Sequence, residues 1–346
     1  MQKTDWSTNS AVSEISKRLH IGKERLSFAG MKDKTATTTQ LASAEGIKKE
    51  QVLALHIKDI KIKGAWISDD KVRLGSLLGN RFRIRLRDCS TSEKKDQDHK
   101  TQVNKKVNKI FKELGKKFPN YFGEQRFGSI RAHTHEIGQL ILKGDFENAV
   151  TRFLCDSDGE THEEAVLARK QLKENNDYRA ALKYFPKHLR LEYSMLSHLS
   201  RRPGDYKGAI MSLPRNVSLL FIHAFQSHMF NILLSERITE AKDSGNQLEL
   251  EEGEYFCGET FGFPDTTKTE AEGWICAKII GHGSPLNVRE KKLFETFGIT
   301  KDSFKMKDLP ALASKGSHRT LLAPLKDFVF DEADEENENG EPVFSF

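Results

Sequence analysis

The chain has 346 residues, 37% apolar and 30% charged with a net charge of +5, enough for two domains or for one domain carrying a large insertion. No run approaches the ~20 apolar residues that span a bilayer, and the N-terminus lacks a signal-peptide pattern, so a soluble cytoplasmic protein without a membrane partner is expected. Cys89, Cys155, Cys257 and Cys276 are widely spaced with no CxxC or Cys/His grouping, which argues against a disulfide framework or a cysteine zinc site.

In chain order, Ala11, Val12, Ile15 and Leu19 share one helical face and predict a helix over about residues 9–20. RLSFA (25–29) reads as a strand, GMKDK (30–34) as a turn, and ATTTQLAS (36–43) as a second strand rich in β-branched threonine. Segments 57–62 and 71–74 add short strands. RFRIRLR (81–87) alternates strictly, which predicts a half-buried strand with one face made only of arginine. Val103, Val107, Ile110, Phe111, Leu114 and Phe118 mark an amphipathic, lysine-backed helix. Residues 146–240 are mostly helical in pattern, ending in a long apolar-rich helix around 217–238, and 250–300 are mixed. LKDFVF (325–330) and PVFSF (342–346) look like strands, with the acidic stretch DEADEENENGE as the exposed loop between them. The fold class is α+β, with helices on one face of a mixed or antiparallel sheet.

Charge is unevenly spread. Residues 1–145 hold 30 Lys/Arg against 17 Asp/Glu, a net of +13, and residues 146–346 hold 25 against 33, a net of −8. Such a basic segment suits a nucleic-acid partner, and is equally what a solvated face looks like. Within it, Gly30-Met31-Lys32-Asp33-Lys34 sets one carboxylate between two lysines. Nearby cations favour the ionised form that a nucleophile or base needs, although Gly and Asp are also ordinary turn residues. Pro119-Asn120-Tyr121-Phe122-Gly123-Glu124-Gln125-Arg126-Phe127-Gly128 gathers aromatics that could stack on an unpaired base, amides that could read its edge, and Arg126 for a phosphate; a packed core loop is the plainer reading.

FAGMKDKTATTTQ (28–40), LGSLLGNRFRIRLR (74–87), PNYFGEQRFG (119–128) and HAFQSHMFN (223–231) occur in this order. Together they resemble the signature segments of the TruD family of pseudouridine synthases over essentially the whole chain, nearer the archaeal branch. The resemblance implies a pseudouridine synthase core plus a largely helical α+β insertion domain: residues 1–145 and 322–346 for the catalytic domain, 146–321 for the insertion. It implies Asp33 as the catalytic aspartate, Phe122 as the aromatic near the target base, and Asn120 as the residue that orders the loop. Lys32, Lys34 and Arg126 follow, on charge alone, as phosphate or aspartate partners. The expected reaction isomerises uridine to pseudouridine in tRNA or another structured RNA, with no cofactor and no metal. The family's opening strand, with its lysine, and its closing segment have no counterpart here, so truncation at both ends is expected.

Two other classes compete. A catalytically inactive RNA-binding protein would use the same basic segment and aromatic loop, but would not call for Asp33. A metal-dependent hydrolase is prompted by His133-Thr134-His135-Glu136, without a further ligand at a telling spacing.

Overall fold

The computed structural model describes residues 1–77, 79–86, 98–115, 117–128, 130–326, 331–336 and 342–345. The fold is α+β, and every described strand pair is antiparallel. The chain divides into two compact units, Met1–Asp88 with Phe330–Phe346, and Cys89–Val329.

The first unit begins with β1 (Gln2–Thr4), α1 (Thr8–Leu19), β2 (Leu26–Phe28), β3 (Thr37–Thr39), β4 (Ala42–Ala44), α2 (Lys49–Leu53), β5 (Ile60–Lys61) and β6 (Arg85–Leu86). The first helix forms as its periodicity predicts. The Ser7 hydroxyl caps its start by accepting the Ser10 N–H, His20 closes it in the left-handed conformation, and Ala11 and Ile15 are buried against Ile60. One sheet has the order β3-β1-β5, with Lys3 opposite both Thr38 and Ile60; β2 and β4 pair separately.

Three strand expectations need correction. ATTTQLAS is not one strand but two, β3 and β4, belonging to different sheets; the Gln40 N–H bonds to the Met1 carbonyl and the chain then leaves the first sheet. Residues 71–74 form no strand. Of RFRIRLR only Arg85–Leu86 pairs, while Phe82 and Ile84 are exposed and Arg87 lies outside the described residues. Alternation supplies a face, but a strand also needs a neighbour to pair with.

The second unit runs α3 (Asp98–Leu114), β7 (Lys117–Pro119), α4 (Thr134–Leu142), α5 (Phe146–Cys155), α6 (Glu163–Asn175), α7 (Tyr178–Tyr184), α8 (Arg190–Arg201), α9 (Tyr206–Met211), α10 (Arg215–Ser244), β8 (Tyr255–Thr260), β9 (Phe263–Glu270), β10 (Trp274–Ile279), α11 (Val288–Phe297), β11 (Ser317–Thr320) and β12 (Leu322–Pro324). Its helices enclose one core that includes Leu154, Leu172, Leu196 and Phe225. By length and composition α10 could cross a membrane, which the absence of a long apolar run did not foretell; more than half of its most apolar stretch is buried inside the protein. Gly138 lets α4 lie directly on α10, since a Cβ there would collide with the Phe221 carbonyl. Beyond α10, a four-stranded sheet has the order β11-β10-β8-β9, and β12 pairs with β7.

The chain ends with β13 (Asp331–Glu336) and β14 (Pro342–Ser345) of the first unit, in a sheet of order β13-β14-β6. The first six residues of the acidic stretch are therefore a paired strand rather than a loop. The strand expected at 325–330 falls partly on residues 327–330, outside the described residues.

Candidate active site

In the first unit Asp33 sits on the turn between β2 and β3 with its side chain exposed, as does Lys34. What fixes this turn is a lysine beneath it. Lys3, in the middle of β1, is 1% exposed, and its Nζ donates to the Asp33 carbonyl at 2.7 Å and to the Lys32 carbonyl at 3.5 Å. Burial pushes the Lys3 pKa down from its ordinary value, and the negative charge of Asp33 opposes that fall. Thr8, fully buried at the start of α1, accepts the Lys32 N–H at 2.9 Å and donates to the Lys32 carbonyl at 3.4 Å. From the 74–87 segment, the Gly75 N–H bonds to the Ala29 carbonyl at 2.7 Å and Asn80 Oδ1 accepts from Lys32 Nζ. Two of the four signature segments thus meet around Asp33.

The other two meet in the second unit. Phe122 is half-buried, and Asn231 of α10 clamps both its backbone groups: Asn231 Oδ1 accepts the Phe122 N–H at 2.9 Å and Nδ2 donates to its carbonyl at 2.9 Å. The Phe122 ring packs edge-on against Phe230, with centroids 5.6 Å apart. Asn120 is stitched to the start of β12: its N–H bonds to the Leu321 carbonyl at 2.8 Å and its Nδ2 donates to the Thr320 carbonyl at 3.0 Å. Arg319 completes this knot, with Nε donating to the Asn120 carbonyl at 2.9 Å and Nη2 to Asn120 Oδ1 at 2.6 Å. Arg126 and Arg319 both lie over the Phe122 ring, with Cζ 5.0 Å and 4.1 Å from its centroid. The loop closes at Gly128, whose φ of +109° and contact with the Arg131 carbonyl leave no room for a Cβ. The structure brings Asn120, Phe122 and Arg126 together in this unit, and Lys32, Asp33 and Lys34 along the turn of the other.

The HTHE segment that prompted a metal site is occupied otherwise. His135 lies against His228, ring centroids 4.3 Å apart, and edge-on to Phe127 at 5.3 Å, while Glu136 pairs with Arg152. Among the described residues no group of three or more His, Cys, Asp or Glu side chains is arranged to hold a metal ion. His133 precedes α4 and is buried; burial and the neighbouring Arg131 push its pKa down to about 4, against a partial pull from Asp156. The unfolded chain takes up a proton near pH 6.5 that the folded chain refuses until about pH 4, so stability is lost as pH falls through that window. The expected loss is up to about 3 kcal/mol from His133, with His135, His223 and His228 shifted in the same direction. Urea midpoints compared at pH 7.5 and 5 should differ less in His133→Gln than in the parent; equal differences would count against this.

A separate concavity of the second unit, lined by Glu236, Glu240, Glu251, Glu252 and Arg289, contains none of the candidate residues and is predominantly acidic. Sequence reasoning missed Lys3, Thr8, Asn231 and Arg319. Only Asn231 carried a signal, as the last residue of HAFQSHMFN. Lys3 and Arg319 act on residues about 30 and 200 positions away, and nothing local marks them.

A family model described as tRNA pseudouridine synthase D (TruD) matches residues 1–346. The probable tRNA pseudouridine synthase D of Methanosarcina barkeri is 34% identical over 343 residues, covering 92% of this chain and 76% of that protein. That of Thermococcus sibiricus is 35% identical over 364 residues, covering 97% of this chain and 82% of its own length. Among solved structures, the crystal structure of the putative tRNA pseudouridine synthase D from Methanosarcina mazei superposes with a TM-score of 0.75 at 30% identity, over 99% of this chain and 82% of that one.

Proposed function

Because the chain belongs to the TruD family of tRNA pseudouridine synthases, we propose that it isomerises a uridine of tRNA to pseudouridine with Asp33 as the catalytic carboxylate. The observation that carries the role of Asp33 is the grip on its main chain. Lys3 and Thr8 hold Asp33 and Lys32 by hydrogen bonds while the carboxylate stays at the surface, where a substrate can reach it.

In the reaction the C1′–N1 bond breaks, the uracil turns, and C5 bonds to C1′; the C5 proton leaves and N1 takes one up. The step needs no electrons and no second substrate. A carboxylate can serve it by attack on C1′ or by removing a ribose proton to open a glycal route. The uridine must first leave its stack, and Phe122, held by Asn231, is the proposed aromatic partner of the target base. Asn120 keeps that loop in place, and Lys32 and Lys34 are the proposed partners of phosphate or of Asp33. The catalytic domain is assigned to residues 1–145 and 322–346, with 146–321 as the insertion. Pairing of β7 with β12, Pro119 opposite Leu322, supports running the two catalytic segments together.

Incubation with unmodified cellular tRNA, followed by carbodiimide labelling and primer extension, should give new stops at discrete uridines. Binding of tRNA without any new stop would favour the alternative, a catalytically inactive RNA-binding protein of the same fold.

A further inference from the structure

The surroundings of Phe122 hold more positive charge than its packing requires. The guanidinium groups of Arg126 and Arg319 converge on one ring, 5.0 and 4.1 Å from its centroid, and both arginines are half-buried. Neither forms an ion pair among the described residues. The hydrogen bonds of Arg319 go to Asn120 and to the Tyr121 carbonyl, which leaves its Nη1 uncommitted among those residues; the Arg126 guanidinium donates to none of them. Burial lowers both pKa values from the ordinary arginine level, and the charge of Arg126 lowers that of Arg319 further. Two like charges brought together and partly stripped of water are costly unless an anion completes them.

We propose that Arg126 and Arg319 form a binding site for one RNA phosphodiester group beside Phe122. A guanidinium offers a planar fork of donors matched to phosphate oxygens, and Arg319 is already immobilised by Asn120, so little of its freedom is left to lose. A Cβ built at Gly123, the residue after Phe122, meets nothing within 4 Å among the described residues. This site rests on the reading of the chain as a tRNA-modifying enzyme and gives it a second anchor. The carboxylate acts on the sugar, and the arginine pair fixes the RNA backbone next to the ring.

The test is the salt dependence of tRNA binding, measured by filter binding for the parent, Arg126→Gln, Arg319→Gln, Arg319→Lys and the double Gln variant. A lost phosphate contact reduces the slope of log K against log salt by about 0.7–0.9. Each Gln variant should show that reduction, and the double variant the same reduction rather than twice it, because the two arginines share one phosphate. Arg319→Lys should keep the slope while binding more weakly. Should Arg319→Gln disturb the Asn120 loop, Arg126→Gln still decides, since its guanidinium has no described hydrogen bond to lose. Weaker binding with an unchanged slope in Arg126→Gln would overturn the site, and a doubled reduction in the double variant would overturn the single phosphate. The two readings fail separately: absence of uridine conversion by the parent removes the enzymatic one, whereas the arginine site falls only with the slopes.

Discussion

Asp33→Asn should reduce uridine conversion by about 10³-fold or more while tRNA binding survives. Asparagine has nearly the same shape as aspartate, and the hydrogen bond from Lys3 ends on the main-chain carbonyl of residue 33, not on its side chain. The Thr8 bonds to Lys32 are likewise untouched. The turn should therefore keep its path and lose an anionic oxygen that can attack C1′ or take a ribose proton. Substitution also removes the negative charge that opposes the fall of the Lys3 pKa, so Lys3 should titrate lower in the variant. Tritium release from tRNA labelled at uracil C5 reads the chemistry, and filter binding reads the complex. Loss of both to the same degree would mean that the residue shapes the RNA surface rather than performing catalysis.

The parts of the site that the sequence disclosed are those that sit within a few residues of one another. GMKDK announces a carboxylate among cations, and NYFGEQRFG announces aromatics around an arginine; both are local compositions. What holds them is not local. Lys3 looks like a surface lysine at the head of a strand until β1 pairs on both sides with β3 and β5 and its side chain is carried beneath the Asp33 turn. Arg319 lies in an unremarkable SHRT stretch, and matters only because β12 pairs with β7. The same distinction separates the elements. The first helix and α10 were legible because a helix makes its own hydrogen bonds and needs only an apolar face. The short strands were misjudged, as at 36–43 and 81–87, because each depends on a partner elsewhere in the chain.

A second large effect is expected within the second unit. Arg169→Met should cost about 3–5 kcal/mol of stability, read from urea-induced unfolding. Arg169, on α6, is 0% exposed and joins three helices. Its Nη1 donates to the Phe153 and Leu154 carbonyls at 3.0 Å, two of the acceptors that the end of α5 leaves without helical partners. Its Nη2 donates to Glu192 of α8 at 2.6 Å, and its Nε lies 3.6 Å from Glu160. Methionine would fill much of the volume, yet it would leave Glu160 without this cation and the Leu154 carbonyl without this donor. Arg131 bonds to the same Glu192 at 3.2 Å and to the Phe153 carbonyl at 2.8 Å, so part of the network should survive and Glu192 should not be wholly orphaned. Arg169→Lys should recover only a fraction, because an ammonium cannot span two carbonyls and a carboxylate as the guanidinium fork does. A loss below about 1 kcal/mol would place Arg169 among ordinary surface changes and contradict its burial.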